Sequence, residues 1–126
     1  MIKYTHLLLV DDDRDDREIF LAVIENISSA VTCSIAENGK IALDKLVRDG
    51  LRPDIIFLDL NMPLMNGREF LTEFMANEEL KEIPVIVLST SSDETVKSEL
   101  KKLGAMDFIT KPDRFSIWEK ALRKVL

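Results

Sequence analysis

Whatever chemistry this chain performs has to come from a few scattered polar residues that each follow an apolar run. Asp11 and Asp12 follow Leu7 to Val10, and Asp59 follows Ile55 to Leu58. Ser89 and Thr90 follow Val85 to Leu88, and Lys111 closes a shorter segment beginning at Asp107. If these runs are strands of one parallel sheet, their carboxyl ends lie side by side, where open α/β sheets bind ligands. Three carboxylates, a hydroxyl pair and one ammonium would then share a site. Ionised carboxylates about 4 Å apart repel by roughly 4 kcal/mol per pair at an effective dielectric of about 20. A cation must offset that. A hard divalent ion such as Mg²⁺ suits an all-oxygen set and keeps coordination positions free for phosphate. Lys111, a mobile point charge, is suited to meeting a phosphoryl oxygen. Metal with lysine is an arrangement for phosphoryl transfer, in which positioning and charge neutralisation supply most of the catalysis.

The elements that must position these residues are legible in the hydrophobic pattern. Five short apolar segments, at 6–10, 31–36, 54–58, 84–88 and 107–110, alternate with five helical patterns, the signature of βα units building a parallel sheet. The first, third and fourth are continuously apolar, as expected of central strands covered on both faces. The second alternates with Thr32 and Ser34, and the fifth carries Asp107 and Thr110, so both read as edges. Helical stripes run through Ile19, Phe20, Val23, Ile24 and Ile27, then Leu43, Leu46 and Val47, then Phe70, Leu71, Phe74 and Met75. The fourth helix has only Val96, Leu100 and Leu103, whereas the fifth has Ile117, Trp118, Ala121, Leu122 and Val125. The fourth is therefore the least anchored. Ser91 with Glu94 has capping-box spacing, Asp113 is placed to cap the last helix, and Gly50 and Gly104 follow helix ends.

Composition narrows the class. A chain of 126 residues fits one domain, and a hydrophobic fraction of 46% with 32% charged residues supports a packed core. The net charge of -6, with no basic stripe, argues against nucleic acid as a direct partner. No apolar run reaches the roughly 18 residues of a membrane span, and Met1 to Val10 has no signal-peptide pattern, so no membrane partner and a cytoplasmic location are expected. The single cysteine, Cys33, alternates with Val31 and Ile35 and reads as core.

Taken together, Val10-Asp11-Asp12, Leu58-Asp59-Leu60-Asn61-Met62-Pro63, Leu88-Ser89-Thr90 and Thr110-Lys111-Pro112 resemble the receiver domains of bacterial response regulators. The resemblance covers essentially the whole chain, Gly67 and Gly104-Ala105 included. It implies a flavodoxin-like (βα)5 fold with strand order 2-1-3-4-5, and a receiver domain over residues 1–126 with no effector domain. Asp59 would be the phosphoacceptor for a sensor histidine kinase or a histidine phosphotransfer protein, and the protein would catalyse only its own phosphorylation and slow dephosphorylation. Asp12 would bind Mg²⁺ directly, Asp11 through water, and Asn61 through its backbone carbonyl. Lys111 and Ser89 would contact the phosphoryl group, with Phe108 as the aromatic that follows Ser89, and Lys111-Pro112 would be a cis peptide. Output would pass to a downstream protein or a homodimer through the fourth helix, fifth strand and fifth helix. The acidic run and the segment Asn66 to Leu71 also resemble, more weakly, receivers that serve phytochromes.

Plainer readings compete at several positions. Asp13, Asp15 and Asp16 read as first-turn acids favouring the helix dipole, with Asp13 and Asp16 at capping-box spacing. An EF-hand is excluded because Asp16 stands at the obligatory glycine and Ala22 at the bidentate glutamate. His6 reads as strand packing or surface, and Phe108 as core and switch alike. An electron carrier of flavodoxin type would need a hydroxyl- and glycine-rich first loop, where Asp11 to Asp13 would repel FMN phosphate. A phosphatase with an aspartyl nucleophile would carry a second acid where Asn61 stands.

Overall fold

The computed structural model describes residues 3–62 and 64–126; Pro63 of the loop motif and the first two residues of the leader reading lie outside them. The described chain forms strands β1 (His6–Val10), β2 (Thr32–Ala36), β3 (Ile55–Asp59), β4 (Val85–Ser89) and β5 (Asp107–Thr110). They alternate with helices α1 (Arg14–Ile27), α2 (Gly39–Val47), α3 (Gly67–Met75), α4 (Glu94–Lys102) and α5 (Phe115–Val125). All pairings are parallel in the order β2-β1-β3-β4-β5, so this is the flavodoxin-like fold with the expected edges.

Alternation along the central strands explains their unbroken hydrophobicity, because successive side chains feed opposite faces. Leu8, Val10, Ile56, Leu58, Val85 and Val87 join Ala42, Leu46, Phe70, Leu71, Phe74 and Leu100 of α2, α3 and α4. Leu7, Leu9, Ile55, Phe57, Ile86 and Leu88 join Phe20, Val23, Ile24, Trp118 and Leu122 of α1 and α5. Phe20 sits edge-on to both Phe57 and Trp118, tying α1, β3 and α5 together. Cys33 packs at the margin of this second cluster, and burial pushes its thiol up to about 12, in keeping with a packing role.

Several local expectations are corrected. β3 and β4 each run one residue further than their apolar runs, because Asp59 pairs with Leu88 and Ser89 with Thr110 in the ladders. Asp93, not Ser91, caps α4, its side chain accepting the Thr95 N–H at 2.8 Å, while Ser91 Oγ accepts from Asp93 N. Asp113 does not cap α5: Arg114 holds the cap position, which puts Asp113 one residue too early to meet the first-turn amides. Of the α5 stripe only Trp118 and Leu122 are buried, and Ile117 turns outward. Lys111-Pro112 is not cis, since every peptide bond among the described residues is trans, the form favoured before proline by about 0.5–1 kcal/mol. Gly50 and Gly104 do end helices, with φ of 69° and 116°.

Candidate functional site

Each strand delivers its polar residue by ordinary backbone pairing. The Asp11 N–H donates to the Ala36 carbonyl at 3.0 Å, Leu60 N to Leu88 O at 3.0 Å, and Lys111 N to Ser89 O at 2.7 Å. The first joins β1 to β2 and the others tie β3 and β5 to β4, while the β1–β3 register sets Val10 level with Leu58, so the ends of β1, β3, β4 and β5 lie side by side. The segment after Asp59 is pinned by Gly67, whose N–H donates to the Leu60 carbonyl at 2.8 Å. A Cβ at Gly67 would stand 2.8 Å from Leu60 Cα and 2.9 Å from the Asp59 carbonyl, so a side chain would push α3 off the acceptor loop. Asn66 fixes the same helix start through a full capping box with Glu69.

The residues singled out in the sequence converge as anticipated. Asp11, Asp59 and Ser89 are buried, whereas Asp12 and Thr90 face solvent. Carboxylate oxygens of Asp11, Asp12 and Asp59 all lie within 4.8 Å of one another. Asp12, Asp59, Asn61, Thr90 and Lys111, with Asp13 and Asp16, line an open cavity of about 210 Å³ at the strand ends. Larger grooves, of about 550 Å³ along α4 and about 500 Å³ beside α1 and Phe115, gather no buried polar group and lie apart from this chemistry.

Lys111 is the hub. Its Nζ lies 3.0 Å from Asp11 Oδ2, 2.7 Å from Asp16 Oδ2 and 3.5 Å from Asp59 Oδ1. Burial disfavours its charge, but Asp16, Asp11 and Asp59 together outweigh that and raise its pKa above the ordinary lysine value. Asp59 feels the opposite balance: burial first, then the Asp11 carboxylate, push it up to about 7 in spite of Lys111. Burial also raises Asp11, against the Asp13 N–H bound at 2.9 Å and the Lys111 ammonium. Arg17 braces the same turn by donating to the Asp11 carbonyl at 3.0 Å.

Asp16 stands in the first turn of α1 as its sequence position suggests, and has a second partner besides. Its backbone does serve the helix start, donating to Asp13 Oδ1 at 3.0 Å, but its carboxylate turns to Lys111. Helical spacing places Asp16 on the same side of α1 as Asp13 and Phe20, and nothing local reveals a partner that arrives 95 residues later. His6 is as expected, its Nε2 lying 3.0 Å from Ser34 Oγ between two strands. Phe108 is half-buried at the margin of the α2–α4 cluster, with the Lys97 ammonium 5.4 Å above its ring.

The donor set fits a hard divalent cation, being three clustered carboxylates at a cavity that Asn61 also lines. Among the described residues no helix is long and apolar enough to cross a membrane.

Known proteins share this fold. Residues 7–123 match the family described as "Response regulator receiver domain". Over 109 residues the chain is 41% identical to a protein-glutamate methylesterase/protein-glutamine glutaminase of Treponema pallidum (strain Nichols), a match covering 84% of this chain but 26% of that protein. The chain thus spans about a quarter of such a relative, and the match says nothing of methylesterase chemistry. The phosphorylated cyanobacterial phytochrome response regulator RcpA superposes with a TM-score of 0.87 at 30% identity, covering 97% of this chain and 91% of that one. The Mn²⁺-bound form of response regulator Rcp1 gives 0.85 at 30% identity, covering 96% and 91%. With its fold, its strand-end carboxylates and this match over nearly its whole length, the chain belongs to the response regulator receiver domain family of two-component signalling.

Proposed function

We propose that Asp59 accepts a phosphoryl group from the phosphohistidine of a sensor histidine kinase or phosphotransfer protein, with Mg²⁺, and that phosphorylation switches a surface read by a downstream protein or a second copy. The observation that carries this reading is the Asp59 carboxylate itself, buried at the end of a central strand, 3.5 Å from Lys111 Nζ and clustered with Asp11 and Asp12. Similar proteins have been seen phosphorylated and with a divalent metal, in RcpA and Rcp1 respectively, which supports the same chemistry here.

An Asp59 oxygen attacks phosphorus. The new O–P bond forms as the donor's N–P bond breaks, and the bonding pair leaves with the imidazole nitrogen. The ionised carboxylate is the nucleophilic form, and a pKa of about 7 leaves Asp59 partly protonated near neutrality. Lys111, held charged, offsets the negative charge gathering on the phosphoryl oxygens. Mg²⁺ held by Asp11, Asp12, Asp59 and the Asn61 carbonyl would favour ionisation of the cluster and neutralise phosphoryl charge. Slow return follows when water attacks the same phosphorus and the Asp59 O–P bond breaks, its pair staying on the carboxylate as inorganic phosphate leaves.

Ser89 couples the site to the surface. Its buried hydroxyl accepts the Ser91 N–H at 3.1 Å and can donate to a phosphoryl oxygen, drawing on the loop that opens α4. That helix buries Leu100 alone, so its local opening costs little. Exposed Met106 before β5 and Ile117 on α5 add apolar surface to the α4–β5–α5 face, in keeping with a partner or dimer contact.

Acetyl phosphate with Mg²⁺, read by intact-protein mass spectrometry, tests the acceptor. One phosphoryl mass is expected in the parent and none in Asp59→Asn. A label that persists in the variant would overturn the assignment and move the chemistry to another carboxylate such as Asp12.

A further inference from the structure

We infer that Asp16 is a positioning residue for Lys111: it draws the ammonium away from Asp59 and so weakens the site's hold on a phosphoryl group, an inference that rests on Asp59 being the acceptor. An ammonium has three N–H donors. Two of them are spent on short contacts, at 2.7 Å to Asp16 and 3.0 Å to Asp11. The remaining approach, 3.5 Å to Asp59, is longer than the 2.7–3.2 Å typical of N–H···O hydrogen bonds. Asp16 therefore holds the cation more closely than the acceptor does.

Asp16 cannot follow Lys111 toward Asp59. It stands in the first turn of α1, its amide bound to Asp13, on a helix fixed to the core by Phe20, Val23 and Ile24. Nor does it belong to the carboxylate trio of Asp11, Asp12 and Asp59, so a cation bound by that trio leaves its charge in place. An ammonium that reaches for phosphoryl oxygens must give up part of its shortest ion pair. The Asp16 side chain is about one-third exposed, and solvent screening limits the effect to roughly 2- to 5-fold.

A helix-dipole role alone would move stability and leave phosphoryl affinity unchanged. Titration with beryllofluoride in Mg²⁺, the phosphoryl mimic, separates the two in the parent, Asp16→Asn, Lys111→Ala and the double variant. Tighter binding by about 2- to 5-fold is expected for Asp16→Asn beside wild-type Lys111, with no gain in the Lys111→Ala background. Asp16→Ala should repeat the gain without an amide left to bind Lys111. Unchanged or weaker binding in both Asp16 variants overturns the inference, and so does an equal gain in both lysine backgrounds, which would reduce Asp16 to plain charge repulsion. Asp59→Asn checks the acceptor separately: loss of beryllofluoride binding there upholds that reading whichever way the Asp16 variants fall.

Discussion

The two ends of β3 use an aspartate in opposite ways. Just before the strand, Asp54 accepts from Thr5 N at 3.0 Å, His6 N at 2.9 Å and Thr5 Oγ1 at 3.2 Å. Those donors, His6 N–H first, hold its carboxyl below the usual range, and the bonds fasten the start of β1 to β3. At the far end, Asp59 has a long approach from Asn61 N, at 3.4 Å, and a shared lysine, and it is packed against other acids. Its carboxyl is pushed up to about 7. One carboxylate strengthens the native state and the other strains it. Unmet negative charge at the carboxyl end is what a cation and a phosphoryl group can exploit, whereas at the amino end nothing is left over for a ligand.

The largest expected effect follows from that contrast. Near neutral pH without divalent metal, Asp59→Asn should be more stable than the parent by roughly 1–3 kcal/mol, because a buried like-charge contact is removed while the shape is kept. Urea denaturation measures it. A folded-state pKa raised from 3.8 to about 7 makes the Asp59 contribution fully present below about pH 4 and lost as pH rises through 7. The gain in Asp59→Asn should therefore grow over that window, and a variant less stable than the parent at neutral pH would show that Lys111 already compensates the acceptor.

A smaller effect of opposite sign is expected at Asp54. Asp54→Ala should cost about 1 kcal/mol at neutral pH, the scale of a few exposed hydrogen bonds to one carboxylate. Because its folded pKa is lowered below 3.8, that stabilisation is present above 3.8 and lost as pH falls through the folded value, so the two proteins should converge in acid. Persistence of the full difference in acid would mean that Asp54 acts through packing and not through charge.

The smallest expected quantity is the coupling between the two. The residues bracket a five-residue strand and share no partner, so the double variant should be additive within about 0.3–0.5 kcal/mol. A larger interaction energy would show that β3 transmits strain from the site to the opposite edge of the sheet.

By itself the sequence determined the order of elements, the central and edge strands, the weak anchoring of α4 and the meeting of Asp11, Asp12, Asp59 and Lys111 at the strand ends. Those are legible because burial imposes its period on apolar residues, and because a parallel sheet forces strand ends together whatever the loops do. Tertiary structure alone decided how the charges are shared. Asp16 looks like a helix-start acid in sequence and becomes the nearest partner of Lys111; Ile117 looks like stripe and faces outward; Asp93 takes the cap that the spacing of Ser91 and Glu94 suggests for Ser91. Each of these depends on where a side chain from another element arrives, and differences of about an ångström in such arrivals change Coulomb and hydrogen-bond energies by as much as local propensities contribute.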